Sequence, residues 1–443
     1  MALGKQAGGA RSGLANILKN LAWLVGGKGF GAICSIVYLA ILVRSLGVRD
    51  FGNFSLIFAT GQALVAIASF RTWQIIVKFG AVLLHRGQWE KFGQLAWLGA
   101  KIDVAGAAVG TLIAAIIYYG FAPLLEIEPD YVDMAFAFNV ALLWGRMTTP
   151  NGILRVIDRF DLAIYVEAIV PIGRLLASLV IILTGASVAK FLFAWALFDL
   201  LSGLVYWIVA FRSMPQALNM RTFGTWRSAL ADNEGLGGFF FVTYFTSTLD
   251  AIYKQGPLLA VGYLLGTSAA GLYRLADQLA QGIGKLSQLV ARAIFPEFAM
   301  AHVASSARDF SRLVGKVAGM ATIAGVFVTM VALLLGEHVL VLVGGDQVVQ
   351  AAAILVPIAI GASFDIAAVS CEPVLYSTGH PTYPLIARLV STGILAAGIY
   401  AWYGYGPVGV GWAVALGLSV FYATMTLTVW LVLRGMRRSE NAD

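Results

Sequence analysis

The chain has 443 residues, of which 59% are hydrophobic and 12% are charged, whereas soluble domains carry about 25% charged residues. This composition excludes a protein with a sizeable soluble domain. The net charge of +7 does not indicate a nucleic-acid partner, because most basic residues outside the apolar runs lie in loops that the positive-inside rule places in the cytoplasm. The two cysteines, Cys34 and Cys371, lie in apolar runs and resemble neither a disulfide framework nor a metal site.

Apolar runs of about 20 residues, the length that crosses a bilayer, recur from end to end of the chain. Each should be a helix, because backbone polar groups inside a bilayer must be satisfied within the segment. The first run is too long for a signal-peptide core, and we expect it to be retained. We predict an all-α polytopic membrane protein with about twelve spans, at residues 17–43, 54–79, 94–122, 132–150, 162–184, 189–211, 239–265, 270–294, 314–336, 348–375, 382–403 and 408–433.

The loops between these spans alternate in charge. Basic loops include the N-terminal segment with Lys5 and Arg11 and the tail with Arg437 and Arg438, whereas the intervening loops are short and neutral or acidic. Arg44 and Arg49, in the first of these intervening loops, are the main exceptions. Basic loops face the cytoplasm. An even number of spans then places both termini in the cytoplasm.

The two halves of the chain carry one motif each. Its pattern is leucine-glycine, four residues, glycine, one residue and an aromatic residue, and it begins at Leu46 and again at Leu265, an offset of 219 residues. The polar segment at about 212–238 separates the halves. We predict two pseudo-symmetric six-helix lobes, residues 1–220 and 221–443, around a central cleft and related by an axis along the membrane normal.

Basic residues inside or at the edges of the spans are the strongest functional signal. A charge in the bilayer core costs from about 2.5 kcal/mol on insertion scales to about 10 or more in simulations, so such residues usually face a bundle interior or a water-filled cavity. A cavity lined by cations indicates an anionic cargo. The candidates are Lys28, Arg146, Arg174, Lys254, Arg274, Lys285 and Arg388.

Acidic residues occur in the same spans, and two roles are open for them. Asp250 precedes Lys254 by four residues and Arg274 precedes Asp277 by three, spacings that allow pairing on one helix. By its seven-residue spacing, Glu167 lies on one face with Arg174. The alternative to charge pairing is that an acid titrates and couples transport to an ion gradient, and the candidates for either role are Asp250, Asp277, Asp365 and Glu372.

Catalytic signatures do not occur in the sequence. The four histidines are scattered in loops, and Gly26-Gly27-Lys28-Gly29 lacks the spacing and the hydroxyl residue of a P-loop. We therefore expect a transporter rather than an enzyme, with no metal and no cofactor.

Two segments resemble a known family. Residues 43–55, from Val43 to Ser55, resemble the first-loop signature of polysaccharide and O-antigen flippases of the multidrug/oligosaccharidyl-lipid/polysaccharide (MOP) exporter superfamily. Residues 270–276, followed by Pro296-Glu297, resemble the matching eighth-helix signature. Lys78 occupies a position where such proteins often carry arginine, whereas Phe70-Arg71-Thr72-Trp73 departs from the Gly-rich turn common there.

The resemblance implies two six-helix lobes that form a V-shaped cleft in the bacterial inner membrane. It also implies transfer of an undecaprenyl-diphosphate-linked oligosaccharide from the cytoplasmic to the periplasmic leaflet, for lipopolysaccharide or exopolysaccharide assembly. The basic residues of the spans, Lys28, Lys254 and Arg274 first among them, would then hold the diphosphate and sugars. Membrane lipids and other polysaccharide assembly proteins are the expected partners.

Rival functions make different demands on the sequence. A multidrug exporter of the same superfamily should have an acid-rich cavity, and here the basic residues outweigh the acids in the first, fourth and eighth spans. A lipid II flippase usually has helices beyond twelve. A membrane polysaccharide polymerase or ligase usually has a large periplasmic loop, whereas every predicted periplasmic loop is short. A scaffold without transport would have no need of buried cations.

Overall fold

The computed structural model of the chain describes residues 3–121, 128–233, 235–282, 307–378, 380 and 382–440. All regular secondary structure in these residues is helical. The α-helices, numbered in chain order, are α1 (Leu3–Ala68), α2 (Thr72–His85), α3 (Trp89–Ala115), α4 (Val132–Gly145), α5 (Thr149–Val156), α6 (Phe160–Thr184), α7 (Val188–Ser213), α8 (Met220–Gly224), α9 (Ser228–Asp232), α10 (Leu236–Leu265), α11 (267–282), α12 (Ala307–Gly344), α13 (Ala351–Ala368), α14 (Cys371–Ser377), α15 (Thr382–Trp402) and α16 (Gly406–Glu440).

The described residues contain seven helical stretches that are long and apolar enough to cross a membrane. Two of them, Ile33–His85 and Thr382–Met436, have 53 and 55 residues. A bilayer crossing needs about 20 residues, so each of these two stretches is long enough for two crossings. The predicted all-α, multi-pass architecture is confirmed.

Both copies of the repeated motif bend the chain at their first glycine. Gly47 interrupts α1 with a φ of 77°, and Gly266 separates α10 from α11 with a φ of 85°. Glycine adopts such positive φ values without the steric cost that other residues bear. The motif therefore marks a turn between consecutive spans in each half.

The second glycines of the motif bring the two copies into contact. A methyl group on Gly271 would lie 2.6 Å from the carbonyl oxygen of Val48, and a methyl group on Gly52 would overlap the carbonyl oxygen of Thr267. Val48 and Thr267 are 219 residues apart, as Gly52 and Gly271 are. The two contacts are therefore equivalent under the sequence repeat.

Three of the predicted spans are wrong as continuous helices. The span expected at 54–79 is divided between α1 and α2 by residues 69–71, the span at 132–150 between α4 and α5 by residues 146–148, and the span at 348–375 between α13 and α14 by residues 369–370. Each break has only two or three residues within a long apolar run, so hydropathy averaged over a span does not detect it. Discontinuous helices at membrane depth expose backbone polar groups that the surrounding protein must satisfy.

The described chain divides into two compact units. The first lies within Met1–Ser45, Thr60–Ala122 and Glu128–Thr248, and the second lies within Leu46–Ala59 and Leu249–Asp443. The first boundary falls at the bend of Gly47, and the last falls inside α10. The predicted lobes, 1–220 and 221–443, follow the sequence repeat rather than this packing, and they stay a prediction.

The polar segment between the predicted halves is folded onto α3. Gln94 of α3 donates to the Thr225 hydroxyl at 2.9 Å and accepts from the Ser228 hydroxyl at 2.8 Å. Lys91 pairs with Asp232 at 3.2 Å. These contacts fasten α8 and α9 to the first unit.

The contact between the motif copies predicts a stability difference between two glycine substitutions. Gly271→Ala should lower the free energy of unfolding by about 1–3 kcal/mol, because the added methyl group presses on backbone that cannot rotate away. Gly256→Ala in α10 is the control, since no atom lies within 4 Å of its added methyl group. Thermal unfolding of the purified variants in one detergent measures the difference, and equal melting temperatures would refute the close contact.

Candidate functional site

Two broken helices meet inside the first unit. The segment between α1 and α2 ends at Arg71, whose backbone is left-handed with φ and ψ both 45°. The segment between α4 and α5 covers residues 146–148, and Pro150 lies in the first turn of α5. A left-handed non-glycine residue costs of order 1–3 kcal/mol. The surrounding residues must therefore hold this conformation in place.

Asp103 of α3 binds both breaks with one carboxylate. Its Oδ2 accepts hydrogen bonds from the backbone N–H groups of Thr148 and Thr149, at 2.9 and 2.8 Å. Its Oδ1 accepts from the Thr72 hydroxyl at 2.8 Å. Asp103 is 6% exposed. A carboxylate is favoured at the N-terminus of α5 because the helix dipole is positive there. With these hydrogen bonds, Asp103 caps α5 and also links it to α2.

A second buried carboxylate, Asp199 of α7, holds two arginines. Arg174 Nη2 donates to its Oδ2 at 2.5 Å, and Arg146 Nε donates to its Oδ1 at 3.1 Å. Arg146 Nη1 donates to the Gln62 side chain at 2.7 Å. The side chain of Arg146 is 28% exposed, whereas those of Arg174 and Asp199 are 6% and 5% exposed. Arg146 is therefore the accessible member of this group.

Glycines explain why Arg146 and Asp199 come so close. A methyl group on Gly145 of α4 would lie 2.9 Å from the carbonyl group of Asp199, and one on Gly203 of α7 would overlap the carbonyl oxygen of Gly145. Small residues let membrane helices approach backbone to backbone. The arginine that ends α4 consequently reaches the carboxylate in the middle of α7.

A cavity of about 290 Å³ opens beside these groups in the first unit. This volume is close to the lower end, roughly 300 Å³, of ligand-binding pockets. The cavity combines guanidinium groups, amide and hydroxyl groups and aromatic rings. Its lining residues are Trp73, Gly145, Arg146, Met147, Thr148, Asn151, Arg155, Asp199, Ser202 and Tyr206.

In the second unit, Arg388 of α15 bridges to α10 and α16. Its Nε lies 3.4 Å from Oδ1 of Asp250. Its guanidinium lies 4.1 Å from the ring centre of Phe421 and 5.4 Å from that of Tyr253. Cation–π contacts of this kind stabilise a partly desolvated guanidinium.

Glu372 of α14 lies in the same charged cluster. Arg388, Asp250, Asp365 and Lys254 are all near enough for their charges to act on its carboxyl group. Three carboxylates therefore share this region with two cations. The cluster as a whole is not cationic.

Two further predicted cations of the second unit are placed differently. Arg274 Nη1 lies 3.7 Å from Oδ2 of Asp277, and both side chains are largely buried. Gln281 donates to the same oxygen of Asp277 at 2.8 Å. Lys254 is exposed, and within the described part of the chain no carboxylate approaches its Nζ within 4 Å. Among the predicted cations whose side chains are described, Lys254 is thus the one that has no carboxylate partner.

Two predicted site residues lie outside what the structure describes. Lys28 belongs to the helical backbone of α1, but its side chain is outside the described side chains. Lys285 lies outside the described residues altogether. Their roles stay predictions.

The observed ion pairs differ in part from those that spacing suggests. Asp250 pairs with Arg388 rather than with Lys254, which is four residues away, and Glu167 lies 3.9 Å from Arg155 rather than beside Arg174. Packing of neighbouring helices supplies a closer partner in each case. Arg274 and Asp277 do pair at the spacing of three.

Sequence reasoning missed the roles of Asp103 and Asp199. Both carboxylates stand in apolar runs, which indicates burial but not the partner. The start of α5 could have been found, because Thr148-Thr149-Pro150 has a hydroxyl residue followed by proline, a pattern typical of a helix N-terminus. Asp103 could not have been joined to it without the packing of α3 beside α4.

Two solved structures of membrane transporters superpose on most of this chain. An inward-facing multidrug resistance MATE family transporter of the MOP superfamily superposes with a TM-score of 0.76 at 15% identity, over 92% of this chain and 96% of that chain. The lipid II flippase MurJ, in an inward closed conformation, superposes with a TM-score of 0.67 at 11% identity, over 91% of this chain and 86% of that chain. The chain therefore has the helical fold of these two transporters.

Sequence comparison identifies the family. Residues 17–302 match the model of the polysaccharide biosynthesis protein family, so the chain belongs to that family. The inner membrane protein YghQ of Escherichia coli (strain K12) is 24% identical over 341 residues, which are 76% of this chain and 94% of that protein. The predicted MOP-superfamily resemblance is confirmed.

The shared carboxylate predicts a large stability effect at α7. Asp199→Asn should lower the free energy of unfolding by about 3–5 kcal/mol, because it leaves the buried Arg174 without a counter-charge. Asp161→Asn is the control, since its pair with Arg159 is exposed and should contribute nothing measurable. Thermal unfolding in detergent measures both variants.

A double variant tests the cause of that loss. Adding Arg174→Met to Asp199→Asn removes the stranded charge, and much of the lost stability should return. If the double variant is as unstable as Asp199→Asn alone, the ion pair is not the reason.

Proposed function

We propose that the protein is an inner-membrane flippase that moves an undecaprenyl-diphosphate-linked oligosaccharide from the cytoplasmic to the periplasmic leaflet by alternating access. The observation that carries this proposal is the match to the polysaccharide biosynthesis family over residues 17–302. The MOP fold supports transport rather than catalysis as the activity. The inner-membrane name of the Escherichia coli relative supports the location.

The negative charge of the proposed cargo accounts for the basic residues in the spans. A diphosphate carries negative charge through the membrane, and lysine and arginine are the side chains that bind phosphate oxygens. We assign this role first to Lys28 and Lys254, with contributions from Arg274, Arg146, Arg174, Arg388 and Lys285. The polyprenyl tail stays in the bilayer while the head group crosses.

These cations differ in whether a carboxylate lies beside them and in how exposed they are. Arg174, Arg274 and Arg388 each lie beside a carboxylate, so their first contribution is to the fold. Lys254 is exposed and is the described cation best suited to the diphosphate. Substitutions should therefore separate into those that lower stability and those that lower transport alone.

The acids near Arg388 suit a coupling role. Asp250, Asp365 and Glu372 outnumber the two cations near them, so uptake of a proton or metal cation would balance the charge of the cluster. Cargo or ion can drive a change between inward and outward states only through different affinities for the two. Asp277 stays in the proposal as the partner of Arg274.

Loss of transport without loss of stability is the expected result at the exposed lysine. In a strain lacking the flippase of its own polysaccharide pathway, the wild-type chain should restore surface polysaccharide, whereas Lys254→Ala and Lys28→Ala at matched membrane levels should not. Lys190→Ala is the control, because Lys190 binds the carbonyl oxygens of Thr184 and Gly185 at the end of α6 and lies outside the proposed site.

The alternative functions give other outcomes in the same strains. A drug exporter would leave surface polysaccharide absent and change drug resistance instead. A polymerase or ligase would leave lipid-linked repeats on the periplasmic face, where an added glycosidase or lectin reaches them. Failure of the stably expressed wild-type chain in its own pathway would contradict the flippase.

The proposed orientation is tested with reporters. Alkaline phosphatase fused after Gly185, between α6 and α7, should be active, because that turn is predicted to be periplasmic. The same enzyme fused after Arg438 should be inactive, because both termini are proposed to lie in the cytoplasm. Activity at the second site and not at the first would reverse the topology.

A further inference from the structure

Of the residues that line the cavity of about 290 Å³ in the first unit, the proposal above uses Arg146 alone. The cavity lies beside α2, α5 and α7. The helices α2 and α5 run from their breaks toward loops that the sequence predicts to be cytoplasmic. Tyr206 in the cavity wall is seven residues from the end of α7 at Ser213, which is about 10 Å at the rise of an α-helix. The cavity therefore lies in the half of the unit that faces the predicted cytoplasmic side.

Aromatic rings and hydrogen-bonding groups alternate around this cavity. Trp73 and Tyr206 supply rings. The amide nitrogen of Asn151 donates to the Tyr206 hydroxyl at 3.0 Å. The amide oxygen of Asn151 is buried, and it accepts no hydrogen bond from any described residue. Unsatisfied buried acceptors are costly, and a ligand hydroxyl group that displaces the side chains covering this oxygen would supply the missing donor.

The charges at the wall are already balanced. Arg155 lies over the ring of Trp73, 4.6 Å from its centre, and 3.9 Å from the Glu167 carboxylate. Arg146 and Arg174 share Asp199, and the carboxylate of Asp103 binds the backbone N–H of Thr148 in the wall. Arg146 and Arg155, the two arginines that line the cavity, thus each lie within 4 Å of a carboxylate. An anion entering the cavity would have to displace a carboxylate or bear its repulsion.

We propose that this cavity binds an uncharged sugar residue of the lipid-linked cargo, an inference that rests on the proposed function. A sugar ring has an apolar C–H face that packs on an aromatic ring, and hydroxyl groups that both donate and accept hydrogen bonds. Trp73 and Tyr206 match the first property. Asn151, Ser202 and Arg155 match the second. The balanced charge favours a neutral sugar over an acidic sugar or a phosphate.

The position of the cavity gives this binding a consequence for selectivity. Cargo is built on the cytoplasmic face, so a sugar site in the cytoplasmic half meets the glycan before it crosses. A glycan whose sugar cannot satisfy Asn151 leaves that acceptor unpaired. A site of this kind discriminates strongly between ligands that differ by one hydroxyl or amide group.

Saturation-transfer NMR on the full-length protein in lipid nanodiscs tests the proposal. The probes are a panel of neutral hexoses and N-acetylhexosamines, with glucuronic acid and inorganic phosphate as anionic comparators. At least one neutral sugar should give a signal, and phosphate should neither give one of its own nor compete. Asn151→Leu should weaken the sugar signal by roughly tenfold or more, as expected for an unmade hydrogen bond to a buried group.

Control variants separate binding from folding. Gln350→Leu replaces an exposed amide at the start of α13 and should bind sugar as the wild-type chain does. If Asn151→Leu does not reach the membrane, Trp73→Phe serves instead, because it keeps an aromatic ring but removes half of the stacking surface. A sugar signal that survives both Asn151→Leu and Trp73→Phe overturns the proposal.

The remaining outcomes are also decisive. Binding of phosphate that depends on Asn151 would make the cavity an anion site, and absence of any neutral-sugar signal up to the solubility limit would remove the sugar site. Complementation is scored separately. A chain that binds sugar but never restores surface polysaccharide contradicts the flippase, whereas one that restores it without sugar binding contradicts this inference alone.

Discussion

A helix that is interrupted inside a membrane leaves backbone N–H and C=O groups that lipid cannot satisfy. The first unit depends on one answer to this constraint. The carboxylate of Asp103 accepts two backbone N–H bonds from the start of α5 and one hydroxyl bond from the start of α2. Because the same group serves both breaks, neither helix can shift alone without losing a buried hydrogen bond. The cavity walls that α2 and α5 provide are positioned by this shared carboxylate.

Pairing of buried arginines with carboxylates is the second feature on which the structure depends. Most of the described intramembrane arginines lie against a carboxylate, and several also lie over an aromatic ring, as Arg388 does over Phe421 and Arg174 does over Trp195. Burying a pair costs desolvation, but breaking one costs more because it strands the remaining charge. An arginine in an apolar run therefore contributes first to the stability of the fold. Lys254 differs from these arginines, because its side chain is exposed and no described carboxylate lies within 4 Å of its Nζ.

Hydropathy and charge were sufficient to predict an all-α, multi-pass fold, because both follow from the bilayer and need no knowledge of tertiary contacts. The glycine motif was equally informative, since Gly47 and Gly266 both have a positive φ, of 77° and 85°. The helix breaks were not predicted, because a single arginine such as Arg71 or Arg146 does not mark a break: Arg174 lies inside the continuous helix α6. The partners of Asp199 and Asp250 were also out of reach. They come from helices 25 to 138 residues away in sequence, and spacing along one helix says nothing about them.

The reciprocal contacts of the two glycine motifs have a consequence for the origin of the chain. Gly52 contacts the carbonyl group of Thr267, and Gly271 contacts the carbonyl group of Val48. The two copies of the motif therefore use the same surface in their contact with each other. Such an isologous arrangement is what two identical subunits form around a two-fold axis. The same glycine contact would join two separate copies of an ancestor that carried one motif. Gene fusion would then have converted a homodimer into one polypeptide, and freed each half to acquire its own charges on an inherited interface.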